Sequence, residues 1–220
     1  MNRIARKISF LIENYRIDKK QFIIVSNNCW GYELYNALNR PYNTPFVGLF
    51  LYPECYVQFL ENFDACMDAE LKFSRTSKYL KAAPNYPVGV ICGGIEIHFL
   101  HYKTQEEAVV KWRRRVSRFK EACADNVPIY VKFCDRDGCT EEQLERFHAT
   151  SFNNKISFGI HDFDSSRHLC LPQLKDANAD FIADGLILYR NRYRYFDISD
   201  WILSGRIGKT PYSRILSVFS

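Results

Sequence analysis

The chain has 220 residues, 47% of them hydrophobic and 15% aromatic. That suffices for one domain with a large core and is too apolar for a disordered segment. No uncharged apolar run approaches the roughly 20 residues that span a bilayer, and a net charge of +5 is small for a dedicated DNA binder.

Residues 1–17 read as an amphipathic helix, with Ile4, Ile8, Leu11, Ile12 and Tyr15 on one stripe. Two roles stay open for it: lying on an anionic membrane surface or packing on the domain. Residues 1–20 hold six basic and two acidic side chains, and residues 186–220 hold the same numbers. Two ends at +4 leave the middle at −3. The expected organisation is an amphipathic helix over 1–20, a single α/β domain over 21–200, and a basic tail over 201–220 that packs on it. The basic termini are expected to touch a membrane or a partner.

Phe22 to Val25 is a β-branched run suited to a buried strand. It enters Ser26-Asn27-Asn28-Cys29-Trp30-Gly31, and a helical pattern continues through Leu38. Phe46 to Leu51 reads as a second buried strand. Tyr52-Pro53-Glu54 opens a helix with Tyr56, Phe59, Leu60 and Phe63 on one face. Val88 to Cys92 and Ile95 to Tyr102 form a hairpin about Gly93-Gly94. Thr104 and Glu107 start a long helix, to about Cys123, whose buried stripe is Ala108, Trp112, Val116, Phe119 and Cys123. Lys111, Arg113, Arg114, Arg115, Arg118 and Lys120 are assigned to its solvent face, which is either merely solvated or a phosphate-binding surface. Ile129 to Phe133 is a strand, Thr140 with Gln143 a second capping box, and Lys155 to Ile160 a strand. Leu186 to Phe196 reads as the last strand, with Arg190, Arg192 and Arg194 projecting from one face and Tyr193 and Tyr195 from the other. The aromatics therefore cannot support base stacking beside the arginines, which argues against nucleic acid. A short helix around Trp201 follows. Strands alternating with helices predict a three-layer α/β/α fold with a mostly parallel sheet and an inserted antiparallel hairpin.

The eight cysteines contain no Cys-x-x-Cys pair. Zinc and thioredoxin spacings are absent, and the thiols read as small core hydrophobes in a reducing, cytoplasmic compartment. Cys29 is the exception. A cysteine at a strand-to-helix turn meets free N–H groups and a positive dipole end, which lower a thiol's pKa.

In open α/β sheets, ligands sit beyond the carboxyl ends of the strands. The residues following each strand are therefore the candidate site: Ser26, Asn27, Asn28, Cys29 and Trp30 after the first, Glu54 after the second, Asp135, Arg136 and Asp137 after the Ile129 strand, and His161 with Asp162 after the Lys155 strand. Cys29, His161 and Asp135 are the catalytic candidates, with Asp135 or Asp164 rather than the adjacent Asp162 as the carboxylate orienting His161; Ser26, Asn27, Asn28, Trp30, Glu54, Arg136 and Asp137 are assigned to substrate binding. Helix-capping and core roles explain several of these residues equally well. His98 and His101 are assigned structural roles in the hairpin, since in a strand they point to opposite faces.

Ser26-Asn27-Asn28-Cys29-Trp30-Gly31, Val47-Gly48-Leu49-Phe50, Ile97-His98-Phe99-Leu100-His101-Tyr102, Trp112 with its following arginines, and Asp135-Arg136-Asp137-Gly138-Cys139-Thr140 together resemble a bacterial family of exopolysaccharide and capsule biosynthesis proteins, a domain of unknown function. The likeness runs over roughly residues 20–190, in the same order. It departs at Tyr32, where a second glycine is common, and this puts close approach of a ligand to the turn in doubt. The resemblance implies a pathway and carries over no catalytic residue. The resulting expectation is a transferase on a cell-surface glycan precursor, with a sugar- or phosphate-containing small molecule as ligand. In the acyl version, His161 is the base, the Asn27/Asn28 turn the oxyanion site and acyl-CoA the donor. In the glycosyl version, Asp135 and Asp137 hold a divalent metal and a sugar nucleotide. A non-catalytic glycan-binding or assembly protein is the alternative. No resident cofactor is assigned.

Overall fold

A computed structural model describes residues 11–217. The expected helix over 1–17 is described only from residue 11, and residues 11–17 are helical. Thereafter the elements are β1 (Ile23–Ser26), α1 (Trp30–Ala37), α2 (Pro53–Glu61), α3 (Phe63–Asp68), β2 (Lys72–Ser74), β3 (Val88–Ile91), β4 (Ile95–His98), α4 (Gln105–Ala124), β5 (Ile129–Cys134), α5 (Glu141–Ala149), β6 (Asn154–Gly159), β7 (His168–Cys170), α6 (Gly185–Arg190), α7 (Ile198–Ser204) and α8 (Pro211–Ser217). Single 3-10 turns lie at Pro172–Leu174 and Arg192–Arg194.

Strands β1, β5, β6 and β7 form a four-stranded sheet in that order, with every pairing parallel. Side chains alternate across a strand, so this sheet feeds two cores. Ile23, Val25, Val131 and Phe133 pack with Tyr56, Phe59, Trp112, Phe119 and Phe147 from α2, α4 and α5. Ile24, Tyr130, Cys134, Ile156 and Phe158 pack with Trp30, Leu34, Leu188, Trp201 and Ile202 from α1, α6 and α7. Helices thus cover both faces, as the sequence pattern predicts. The hairpin β3–β4 turns through Cys92, Gly93 and Gly94, all at positive φ. It gains β2 as a third strand and forms a separate antiparallel sheet.

Two predicted strands are absent. Phe46 to Leu51 follows Pro45 and holds Gly48 at φ +73°, so it cannot extend. Only Phe50 pairs, exchanging two 2.8 Å hydrogen bonds with His98. Leu186 to Phe196 holds α6 and a 3-10 turn instead of a strand, because Asp184 caps α6, its Oδ1 accepting from the amides of Leu186 and Ile187 at 2.8 and 2.9 Å. The supposed arginine stripe disappears with that strand. Arg192 is buried and donates to both carboxylate oxygens of Glu13, at 3.1 and 2.7 Å. Arg16 pairs with Asp197 in the same region. The helical residues 11–17 are held to the body by these charged contacts and by buried Ile17, while Leu11 and Tyr15 of the expected apolar stripe face outward. The boundary drawn at 200/201 falls inside α7, whose Trp201 is core. All eight cysteines are free thiols. Among the described residues, no helix is long and apolar enough to cross a membrane.

Candidate functional site

After β1 the chain first lays α1 on one face of the sheet, then crosses to the other through residues 38–52. That crossing opens a cavity of about 780 Å³ at the carboxyl ends of β1 and β5, within the range of small-molecule sites. Its wall includes Asn28 and Cys29 from the β1 turn, Gly48 and Phe50 from the crossing segment, His101 and Tyr102 after β4, Lys111 and Arg115 of α4, Arg136 and Asp137 after β5, and Asp184 and Gly185 at the start of α6. The separated sequence motifs therefore converge on one place.

Short hydrogen bonds build the wall. Val47 O accepts from Tyr102 Oη at 2.7 Å and from Arg115 Nη1 at 2.9 Å. His101 N donates to Gly48 O at 3.1 Å. A Cβ on Gly48 would come within 3.2 Å of the Tyr102 ring and 3.3 Å of His101 Cβ, so a glycine lets the two segments close. His101 Nε2 then lies 3.5 Å from Cys29 Sγ. This is a cysteine–histidine pair, the residue types of an activated thiol nucleophile with its base. His101 therefore does not have the purely structural part expected from opposite-facing hairpin histidines; its partner lies 72 residues away. The turn cysteine is the one local signal for this pair; nothing in the spacing along the chain singles out His101.

Behind Cys29 lies a buried polar cluster. The fully buried Lys132 donates to Asn27 Oδ1 at 3.2 Å and to Asn28 Oδ1 at 3.0 Å. The amide nitrogens of both asparagines reach Cys134 Sγ, at 3.5 and 3.3 Å. Asn28 Oδ1 also accepts from Trp30 N at 3.2 Å. The amides assigned to an oxyanion are thus engaged internally, and they fix the shape of the turn. Burial lowers the pKa of Lys132, against the opposing pull of Cys134, Asp135 and Cys29. Burial also raises the Cys29 thiol, with Glu33 and Asp184 adding and Lys132 opposing. The helix N-terminus does not produce the lowered thiol pKa that the sequence suggested.

The structure disperses the other candidates. Ser26 is buried and its Oγ accepts from Asn28 N at 3.4 Å. Trp30 is wholly enclosed by Phe158, Tyr189, Phe196 and Trp201 and does not line the cavity. Glu54 clamps α2 to α5, receiving Arg146 Nη1 at 3.0 Å on each oxygen and Gln143 Nε2 at 2.9 Å. Burial tends to raise its carboxyl, but the Gln143 and Arg146 hydrogen bonds hold it below the usual range. Asp135 accepts a backbone N–H on each oxygen, Ile182 at 2.9 Å and Ile160 at 2.7 Å, so it ties the loop before α6 to the end of β6. His161 is 73% exposed in its side chain, beside Asp180 at 3.9 Å, and does not line the cavity. Arg136 and Asp137 do line it. Arg136 is itself bound to Asp176 and Ile182 O. Tyr32, where the resemblance departs, packs on Tyr42 as part of the cavity wall.

Arg115 corrects the solvent-face assignment. It is 7% exposed, while Arg113, Arg114, Arg118 and Lys120 are exposed as expected. Among the described residues, no group of three or more His, Cys, Asp or Glu side chains is arranged to hold a metal.

A domain of unknown function, DUF1919, matches residues 1–202. An uncharacterized protein of Haemophilus influenzae is 36% identical over 143 residues. That alignment covers 65% of this chain and 64% of the relative, so just under two thirds of the relative's length is spanned.

Proposed function

From the premise that this chain belongs to the DUF1919 family of domains of unknown function, we propose that it is an acyltransferase acting on a cell-surface glycan precursor, with Cys29 as nucleophile and His101 as base. The single observation that carries this reading is the 3.5 Å approach of Cys29 Sγ to His101 Nε2 inside the large cavity. The glycan assignment is supported by the resemblance of the convergent motifs to exopolysaccharide biosynthesis proteins. The acyl version is favoured over the glycosyl version because both oxygens of Asp135 are taken by backbone amides.

The raised thiol pKa means that Cys29 is protonated at rest, so His101 works as a base in each turnover. His101 Nε2 takes the Sγ proton as Sγ bonds to the carbonyl carbon of an acyl thioester. The carbon–sulfur bond of the donor breaks, and the departing thiolate receives the proton from His101. A sugar hydroxyl then attacks the Cys29 thioester and loses its proton to His101. The bond to Sγ breaks, and the thiol is reprotonated. Of the first-turn amides of α1, Trp30 N is taken by Asn28 Oδ1; those of Gly31 and Tyr32 lack α-helical acceptors and are assigned to the developing oxyanion.

The test is acyl capture. Incubation with short-chain acyl-CoA is expected to add one acyl group to the peptide holding Cys29, read by mass spectrometry. Cys29→Ser removes the adduct, and His101→Asn slows its formation by about 10²–10⁴-fold, the usual worth of a positioned base. Absence of any Cys29 adduct across a series of acyl thioesters would sink the reading. A second reading, a non-catalytic glycan-binding protein, draws on the raised Cys29 pKa, which suits an unreactive thiol. It predicts glycan binding that survives Cys29→Ser unchanged and no adduct.

A further inference from the structure

Among the described residues, two arginines are nearly excluded from solvent, and their surroundings differ. Arg192 faces the Glu13 carboxylate. Arg115 has only neutral hydrogen-bond acceptors, Val47 O and Tyr102 Oη, both on Nη1. Its Nε is buried without a hydrogen-bond partner, and no carboxylate lies within ion-pair reach of it among the described residues. The rings of Tyr42 and Tyr102 flank the guanidinium at 5.1 and 5.9 Å. A buried charge without a counter-charge keeps its desolvation penalty, and the neutral contacts here recover only part of it. The same side chain lines the cavity that holds Cys29 and His101. Lys111, one helical turn earlier on α4, lines it too. Its partner there is Glu107 at 2.5 Å, a surface pair with both side chains about a third exposed, and such pairs are weak. The acidic groups of the cavity, Glu33, Asp137 and Asp184, come from other elements.

We propose that Arg115, with Lys111 beside it, forms a subsite in this cavity for a phosphate group carried by the substrate. A rigid fork plus a mobile point charge suits an anion of about two negative charges with three acceptor oxygens, more than a singly charged carboxylate. The subsite deepens the acyl-transfer reading and rests on it for the statement that the phosphate belongs to a substrate. Two sources share this chemistry: the phosphates of a coenzyme A donor and a phosphorylated sugar acceptor.

Calorimetric titration of the Cys29→Ser protein, which cannot turn over, separates them. The probes are coenzyme A, glucose 1-phosphate and inorganic phosphate, with glucose as the neutral control. Binding of coenzyme A alone identifies the donor; binding of glucose 1-phosphate identifies the acceptor. For whichever phosphate probe binds, Arg115→Lys and Lys111→Gln are each expected to weaken it roughly tenfold or more, the worth of a charge-assisted hydrogen bond. Lys111 is partly exposed, so its variant keeps the fold if the arginine variant does not. The proposal is overturned if no phosphate probe binds, if glucose binds as tightly as glucose 1-phosphate, or if Lys111→Gln binds like the parent. Phosphate binding without a Cys29 adduct would refute the acyl chemistry and leave the subsite standing. A Cys29 adduct with phosphate-indifferent binding would refute the subsite alone.

Discussion

Cys29 is where local and tertiary influences oppose each other. Its position before α1 exposes it to a helix dipole that favours a thiolate, yet burial, Glu33 and Asp184 raise its pKa against the help of Lys132. The consequence is measurable at this one atom. Alkylation by iodoacetamide is expected to be slow near neutrality and to rise with pH beyond the range where an ordinary cysteine has levelled off, because the thiolate is the reacting form. His101→Asn slows the neutral-pH reaction further. A rate that is already flat by neutral pH would contradict the assigned thiol pKa. This behaviour was half legible in the sequence: the turn named Cys29, but the neighbours that set its pKa come from α1, β5 and α6, and no local pattern joins them.

At the scale of elements, the decisive contact is between α6 and the β1–α1 turn. A Cβ on Gly185 would lie 2.6 Å from Asn28 Oδ1 and 2.7 Å from Trp30 N. The second of these is backbone and cannot swing away. Gly185→Ala is therefore expected to push α6 off the turn, lowering stability by about 1–3 kcal/mol as overpacking does and disturbing the Asn28–Lys132 contact behind Cys29. Urea unfolding with a parallel alkylation assay checks both effects; a variant as stable as the parent would mean that α6 is free to shift. The start of α6 also explains why Leu186 to Phe196 is not a strand. Leu186 to Phe196 looked extended because its arginines and aromatics alternate, but Asp184 at the N-cap outweighs an alternation that the burial of Leu188 and Tyr189 also satisfies as a helix. By contrast, the Thr104 and Thr140 caps, the Gly93-Gly94 turn and the β1, β5 and β6 runs are local signals, and each produced the element expected.

Across the whole molecule, stability is tied to two neutral histidines at the β6–β7 side of the sheet. Ser157 Oγ lies between His148 Nε2 at 2.8 Å and His168 Nδ1 at 2.7 Å, and His168 Nε2 contacts His161 O at 3.0 Å. Burial lowers both imidazoles, and it is joined at His148 by the charges of His168, Lys155 and Arg167 to bring that group to about 4. Between the ordinary value of 6.5 and about 4, the unfolded chain binds protons that the native His148 refuses. Stability is then full above this window and is lost as pH falls through it. Urea midpoints are expected to drop from pH 7.5 to 4.5, and His148→Gln to flatten that slope; an unchanged slope in the variant would assign the loss to other groups.

The amino-acid sequence by itself determined the α/β class, the parallel strands with helices on both faces, the free thiols and the turn that bears Cys29. Each depends on periodicity, capping or composition within a short window. Only the tertiary structure decided that His101 rather than His161 meets Cys29, that Asp135 and Glu54 serve as ties, and that Arg115 turns inward while its neighbours on α4 face water. Those outcomes depend on how the crossing segment after α1 folds against the end of β4, where Gly48 and Val47 close on His101 and Tyr102. Long-range packing of this kind joins residues whose spacing along the chain carries no repeat for a sequence pattern to register.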